Sequence, residues 1–457
     1  MESKQPFLVR KKNTDLTHGR VWKVILSFAI PLLIANLLQQ LFNVTDSIIV
    51  GQFLGKRALA GVSASFFIYY FVISFVVGIG SGTSVVVSQF FGAQQYEKVQ
   101  RAFSSFFIFM LITGVLISII GIFIAEPLFR LTKTPEDVIP EAVAYFRIYV
   151  GGTFLFVCFN SIISILRGVG ESVPPMIFIT ISTILNVTFD LLFICVFKWG
   201  VEGAALATVI AQGISMCIVL VYVNNIQQVL SIKKRDMLFD TKLFMVGLRI
   251  GIPASVQQCA ISMGLMALLG IVNTFGTDTL TAYGAGGKID SIIIQAVLTL
   301  SGALAAFCGQ NIGAGRLDRV KKGVRFAMFL NVSLGFLTFI VIYFFGDKLM
   351  MAFTHDANVI AIGREYLVIM AGFFMIHGGL NVFNGALRGA GDTLFPMITS
   401  IICLWLIRIP IAYYFGKHFG RVGIWWGIGL SISIGFVITY VYYKIGYWKR
   451  RSVNTQM

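Results

Sequence analysis

Asn36, Gln39, Asn43 and Asp46 lie inside a long apolar stretch near the N terminus, separated by 3, 4 and 3 residues. That spacing stacks four polar side chains on one face of a helix. A carboxylate in such a stretch costs about 2.5–3.5 kcal/mol to insert into a bilayer, so it marks a functional site by default. A second apolar stretch carries Asn186 and Asp190, four apart and again on one face, and the next carries Thr208. At about 1.5 Å of rise per residue, Asp46, Asp190 and Thr208 all sit roughly 8–12 Å below the same membrane surface. Two carboxyl groups, an amide and a hydroxyl at one depth suit a Na+ ion, which wants oxygen ligands. They equally suit a proton, which needs only a carboxyl group perturbed by burial or by a second acid. The bland reading is that each acid is satisfied by its own backbone or amide partners, and that Thr208 bonds its own helix.

The elements that would carry these groups are membrane helices. The chain has 457 residues, of which 57% are hydrophobic and 12% charged, with a mean hydropathy of +0.85. Soluble domains carry about 25% charged residues. Twelve apolar stretches are long enough to span a bilayer: 22–53, 58–92, 97–131, 138–166, 173–197, 200–224, 242–271, 279–313, 320–353, 358–387, 393–416 and 422–446. The fold class is therefore an all-α polytopic membrane protein. Pro31 and Pro253 fall inside the first and seventh stretches and should kink them. The six cysteines lie in apolar runs without a CxxC pair, which supports neither a disulfide framework nor a metal site.

The net charge of +16 is spread over the short segments between spans. That pattern fixes orientation in a membrane and argues against a nucleic-acid partner. Lys233-Lys234-Arg235 and Arg316 through Arg325 fall on the cytoplasmic side if the N terminus does. No removable signal peptide is expected in the first 20 residues.

The chain also repeats itself. Ile30-Pro31 matches Ile252-Pro253 at a shift of 222. Three further matches share a shift of 221: Gln89 through Ala93 with Gln310 through Ala314, Leu166 through Glu171 with Leu387 through Asp392, and Pro175-Met176 with Pro396-Met397. Six spans per half is an even number, so the halves are parallel repeats of one topology. The expected organisation is a cytoplasmic tail 1–21, a six-helix bundle 22–224, a cytoplasmic linker 225–241, a second bundle 242–447 and a cytoplasmic tail 448–457. The second half lacks a matching carboxylate on its first span, which has Gln257 and Gln258 instead. Lys288 and Asp290 are expected to form a structural salt bridge, with Arg408 nearby. Gly78, Gly80 and Gly82 read as close helix packing, since no strand precedes them.

Ala29-Ile30-Pro31 with Asp46, Gln89 through Ala93, Asn186 through Asp190, Gly203 through Thr208, Gln310 through Gly313 and the paired Leu-Arg-Gly-x-Gly segments together resemble the multidrug and toxic compound extrusion (MATE) family, over nearly the full chain. The resemblance implies twelve helices in two bundles around a central cleft. It implies secondary antiport: export of small organic, often cationic, compounds in exchange for H+ or Na+ by alternating access. Asp46, Asp190, Asn186 and Thr208 would hold the coupling ion. Gln39, with Asn36, Asn43 and Gln257, would line the substrate cavity. Gln257 and Gln258 make the chain look closer to the DinF-type branch and leave H+ and Na+ both open. No enzymatic motif is present, and no cofactor beyond the coupling ion is expected. A monomer in the inner or plasma membrane, both termini cytoplasmic, is the expected state. The alternative is a lipid-linked precursor flippase of related architecture.

Overall fold

The computed structural model describes residues 15–132, 134–227, 229–233, 236–450 and Val453. Residues 1–14, Lys234, Arg235 and most of the C-terminal tail lie outside the described residues, as does the side chain of Asn43. Among the described residues there is no strand. A bilayer interior offers no water to backbone groups, so each segment must close its own hydrogen bonds as a helix.

The helices are α1 (Val21–Gly92), α2 (Tyr96–Leu131), α3 (Ile139–Gly151), α4 (Thr153–Gly168), α5 (Val173–Asp190), α6 (Gly200–Asn225), α7 (Thr241–Asn273), α8 (Thr277–Gly313), α9 (Leu317–Met351), α10 (Ala357–Gly389), α11 (Leu394–Ile401), α12 (Ile409–Phe419) and α13 (Arg421–Ile445). Among the described residues, eleven helical segments are long and apolar enough to cross a membrane, and α3 with α4, bent by 48°, makes a twelfth. The first two expected spans are one run of helix broken at Gly55, whose φ of 83° is open to glycine and strained for other residues. Pro31 and Pro253 are both carried inside helices.

The chain forms two compact units. One holds Ile30–Arg249 and the other Leu16–Ala29 with Ile250–Met457. The units therefore change over one residue before Pro31 and three residues before Pro253. In the second unit the segment before α1 is pinned by side chains: Gln310 Oε1 accepts from the Leu16 N–H at 3.0 Å, and Arg316 donates to the Thr17 carbonyl at 2.7 Å.

In the first unit α2 packs on α3 and α4, α5 on α6, and α6 on α3 and α4. In the second, α10 packs against α8, α9 and α13. Its core gathers Tyr283, Tyr366 and the fully buried Trp425, with the Tyr283 and Trp425 rings stacked at 5.6 Å.

The paired Leu-Arg-Gly-x-Gly segments acquire a physical reason. A Cβ on Gly168 would lie 2.7 Å from the Ser84 carbonyl, and one on Gly389 2.4 Å from the Ala305 carbonyl. The second glycine of each segment, Gly170 or Gly391, turns the chain at φ near 90°. The acids that follow are bound to the ends of later helices. Glu171 Oε2 accepts from the Tyr222 hydroxyl at 3.0 Å, and Asp392 accepts from Tyr442.

Lys288 and Asp290 do not pair. Two residues apart on a helix, they point in different directions. Asp290 accepts instead from the Tyr366 hydroxyl at 3.1 Å, Lys288 lies over the Phe353 ring, and Arg408 donates to Ser431 Oγ at 2.8 Å.

Candidate functional site

Asp46 on α1 and Asp190 at the end of α5 meet inside the first unit, with their carboxyl groups within hydrogen-bonding reach of each other. A hydrogen bond between them requires one proton shared by the two acids. Asp190 is fully buried at 0% exposure. The Oδ1 atom of each acid is buried and has no partner among the described residues. Immediately after Asp190 the helix widens into a π-helical turn, Leu191–Val196. π turns recur at functional sites, and this one lets the chain leave Asp190 in a different register from the α-helix before it.

Asn186 and Thr208 complete the cluster, both buried. With the Asn186 amide oriented by its neighbours, its nitrogen donates to Asp190 Oδ2 at 2.8 Å. Its oxygen accepts from Thr208 Oγ1 at 2.9 Å and from the Thr208 N–H at 3.2 Å. The Thr208 hydroxyl also lies 3.2 Å from the Ala204 carbonyl of its own helix.

Three helices show the same polarity along their length. On α1, Asn36, Gln39 and Phe42 line a cavity, Asp46 follows, and Ile49 and Val50 then enter an apolar cluster. On α5, Ser182, Thr183 and Asn186 line the cavity, Asp190 follows, and Ile194 enters the same cluster. On α6, Thr208 and Gln212 face the cavity, and Ala204 and Ala205 belong to the cluster. The acids thus stand at the boundary between a polar chamber of about 270 Å³ and an apolar cap. That volume lies just below the roughly 300–1,000 Å³ of ligand pockets.

Of the sequence-predicted residues, Asp46, Asp190, Asn186 and Thr208 come together, and Asn36 and Gln39 line the adjoining chamber. Gln257 does not join them. It belongs to the second unit, where it donates to the Pro396 carbonyl at 3.1 Å and to Ser400 Oγ at 2.6 Å, and accepts from Arg388 at 2.6 Å. The Asn43 side chain lies outside what is described.

Sequence reading missed two groups. Tyr145 lies close enough to act electrostatically on both acids and stacks on Tyr149 at 5.5 Å, while Tyr69 hydrogen-bonds to Tyr149. The four-residue spacing of Tyr145 and Tyr149 was the available signal. Asn160, Ser164 and Arg167 line the chamber from α4. Their spacing of 4 and 3 residues puts them on one face, but Arg167 reads as a loop cation because it opens the glycine segment.

The MatE family profile matches this chain twice, over residues 31–192 and 253–414. The chain belongs to the MatE family. The two matched stretches begin and end 222 residues apart (31 to 253, 192 to 414), which is the internal repeat. This MatE chain is 34% identical over 449 residues to the probable multidrug resistance protein YpnP of Bacillus subtilis, covering 97% of this chain and 100% of that protein. It is 26% identical to the probable multidrug resistance protein NorM of Thermotoga maritima, covering 95% and 94%. Among solved structures it is similar to an outward-facing MATE family transporter of the MOP superfamily, with a TM-score of 0.90 and 23% identity, covering 96% of this chain and 99% of that one. The MatE chain is a multi-pass membrane transporter and not an enzyme.

Proposed function

We propose that the protein exports small organic compounds in exchange for protons, with Asp46 and Asp190 as the exchanging pair and the adjoining chamber as the substrate site. The observation that carries this reading is the meeting of the two acids, within hydrogen-bonding reach of each other, at the end of the chamber. Two adjacent carboxylates repel when both ionise, so one proton draws them together and its loss pushes α1 away from α5. A ligand shifts a conformational equilibrium only through its different affinity for the two states. Here the proton is that ligand: it joins the pair from outside and favours release of the compound.

A proton needs only the two facing carboxyl groups, whose Oδ1 atoms have no other partner among the described residues. The names of YpnP and NorM as probable multidrug resistance proteins support export of varied compounds. The excess of Lys and Arg in alternate loops supports cytoplasmic termini and a plasma-membrane location. One chain holds both acids and the chamber, which supports a working monomer.

Asp46→Asn should abolish drug resistance in expressing cells while leaving the amount of protein in the membrane unchanged. Undiminished resistance in that variant would refute the mechanism.

A further inference from the structure

The chamber in the first unit contains one ionisable side chain among its described lining residues, and it is a cation. Twenty-one residues line the space, and Arg167 alone among them carries charge. Asp46 and Asp190 are not in the lining; Asn186, which is bonded to Asp190, and Thr208 are. The Arg167 Nε is buried without a hydrogen-bond partner, and no acid forms an ion pair with the guanidinium among the described residues. A buried charge left without a counter-charge is strongly unfavourable.

The repeat supplies an internal control. Arg388 occupies the matching position 221 residues later, and there the guanidinium is held at 2.6 Å by Gln257 Oε1, which is itself fixed by two further bonds. The Arg388 Nε is buried without a partner as well, so what sets the first half apart is that no described side chain there plays the part of Gln257, and Arg167 borders the open chamber instead. Ser164 and Asn160, one and two turns away on the same face of α4, add neutral polar groups beside it. Phe42, Phe156 and Phe159 supply apolar and aromatic wall.

We infer that this chamber takes compounds with an aromatic or apolar body and an oxyanion, a carboxylate or a phosphate, which docks on Arg167. A guanidinium offers paired N–H donors that match both anions. The inference rests on reading the chamber as the substrate site, and it departs from an expectation of mainly cationic compounds.

The test is equilibrium binding to the purified full chain at pH 7, with no gradient present. The probes are 2-naphthoate, its neutral isostere 2-naphthamide, and 2-naphthyl phosphate. The wild type should bind naphthoate about 10-fold or more tighter than naphthamide. Arg167→Gln should erase that preference, and Arg167→Lys should keep part of it. A stronger, equally Arg167-dependent preference for naphthyl phosphate would support the inference and mark phosphate as the class. Equal binding of naphthoate and naphthamide by the wild type would overturn it without any variant having to fold. So would a preference that survives in Arg167→Gln. Asp46→Asn, measured in the same assay, should retain the preference. Failure of proton coupling would therefore appear in transport and leave this binding result standing.

Discussion

Replacing Glu171 with Gln should stabilise the protein at pH 8 and remove part of its pH dependence. Glu171 lies in the loop between α4 and α5, outside the spans. Burial lifts its carboxyl from an ordinary 4.5 to about 7, against the pull of the Tyr222 hydroxyl. The Gln227 amide donates to its other oxygen at 3.1 Å. A carboxyl raised in the fold binds its proton more tightly there than in the unfolded chain. Stability therefore increases as pH falls through about 7, and the gain is complete below about 4.5. The interval corresponds to at most about 3 kcal/mol, reduced by partial solvent exposure. Gln keeps an acceptor for Tyr222 and cannot ionise. The assay is the apparent melting temperature of wild type and Glu171→Gln in detergent from pH 5 to 8.5. Their difference isolates Glu171 from the membrane acids, which both proteins share. Glu171→Gln should melt higher at pH 8, and the two should converge near pH 5. A difference that stays constant with pH, or a variant that melts lower at pH 8, would refute the reasoning.

Two substitutions probe packing away from the site. Gly114→Ala places a Cβ 2.8 Å from the Phe154 Cα, so α2 and α4 must part; the cost should be about 1–3 kcal/mol, read as a lowered melting temperature. Gln257→Ala strips Arg388 of its 2.6 Å acceptor and should cost about 1–3 kcal/mol, while adding Arg388→Met should recover much of the loss in a double-mutant cycle.

The helices were legible because apolar length is a local property, and the repeat was legible because its glycines serve backbone geometry. Gly168 and Gly389 meet carbonyls of an earlier helix, and Gly170 and Gly391 turn the chain. Neither role tolerates a side chain, so the pattern survives in both halves. The meeting of Asp46 with Asp190 followed from equal depth, since spans in one bundle bring residues of one depth together. Other features depend on direction around a helix, which spacing gives only relative to a neighbour. Lys288 and Asp290 looked like a pair and are not, because a two-residue interval turns them apart. Arg167 looked like a loop charge and lines the chamber, because α4 continues to Gly168. The exchange of Leu16–Ala29 into the second unit arises from side chains of Gln310 and Arg316 reaching the backbone near Leu16, which no local pattern reveals.

The central claim is that a proton passes through the pair formed by Asp46 and Asp190. Its most direct test is uptake of a fluorescent substrate into liposomes holding the purified protein, with a pH gradient and a Na+ gradient imposed separately. The pH gradient alone should drive uphill transport in the wild type, and Asp190→Asn should lose that response while still binding substrate. Transport driven by Na+ alone, or a full pH-driven response in Asp190→Asn, would contradict it.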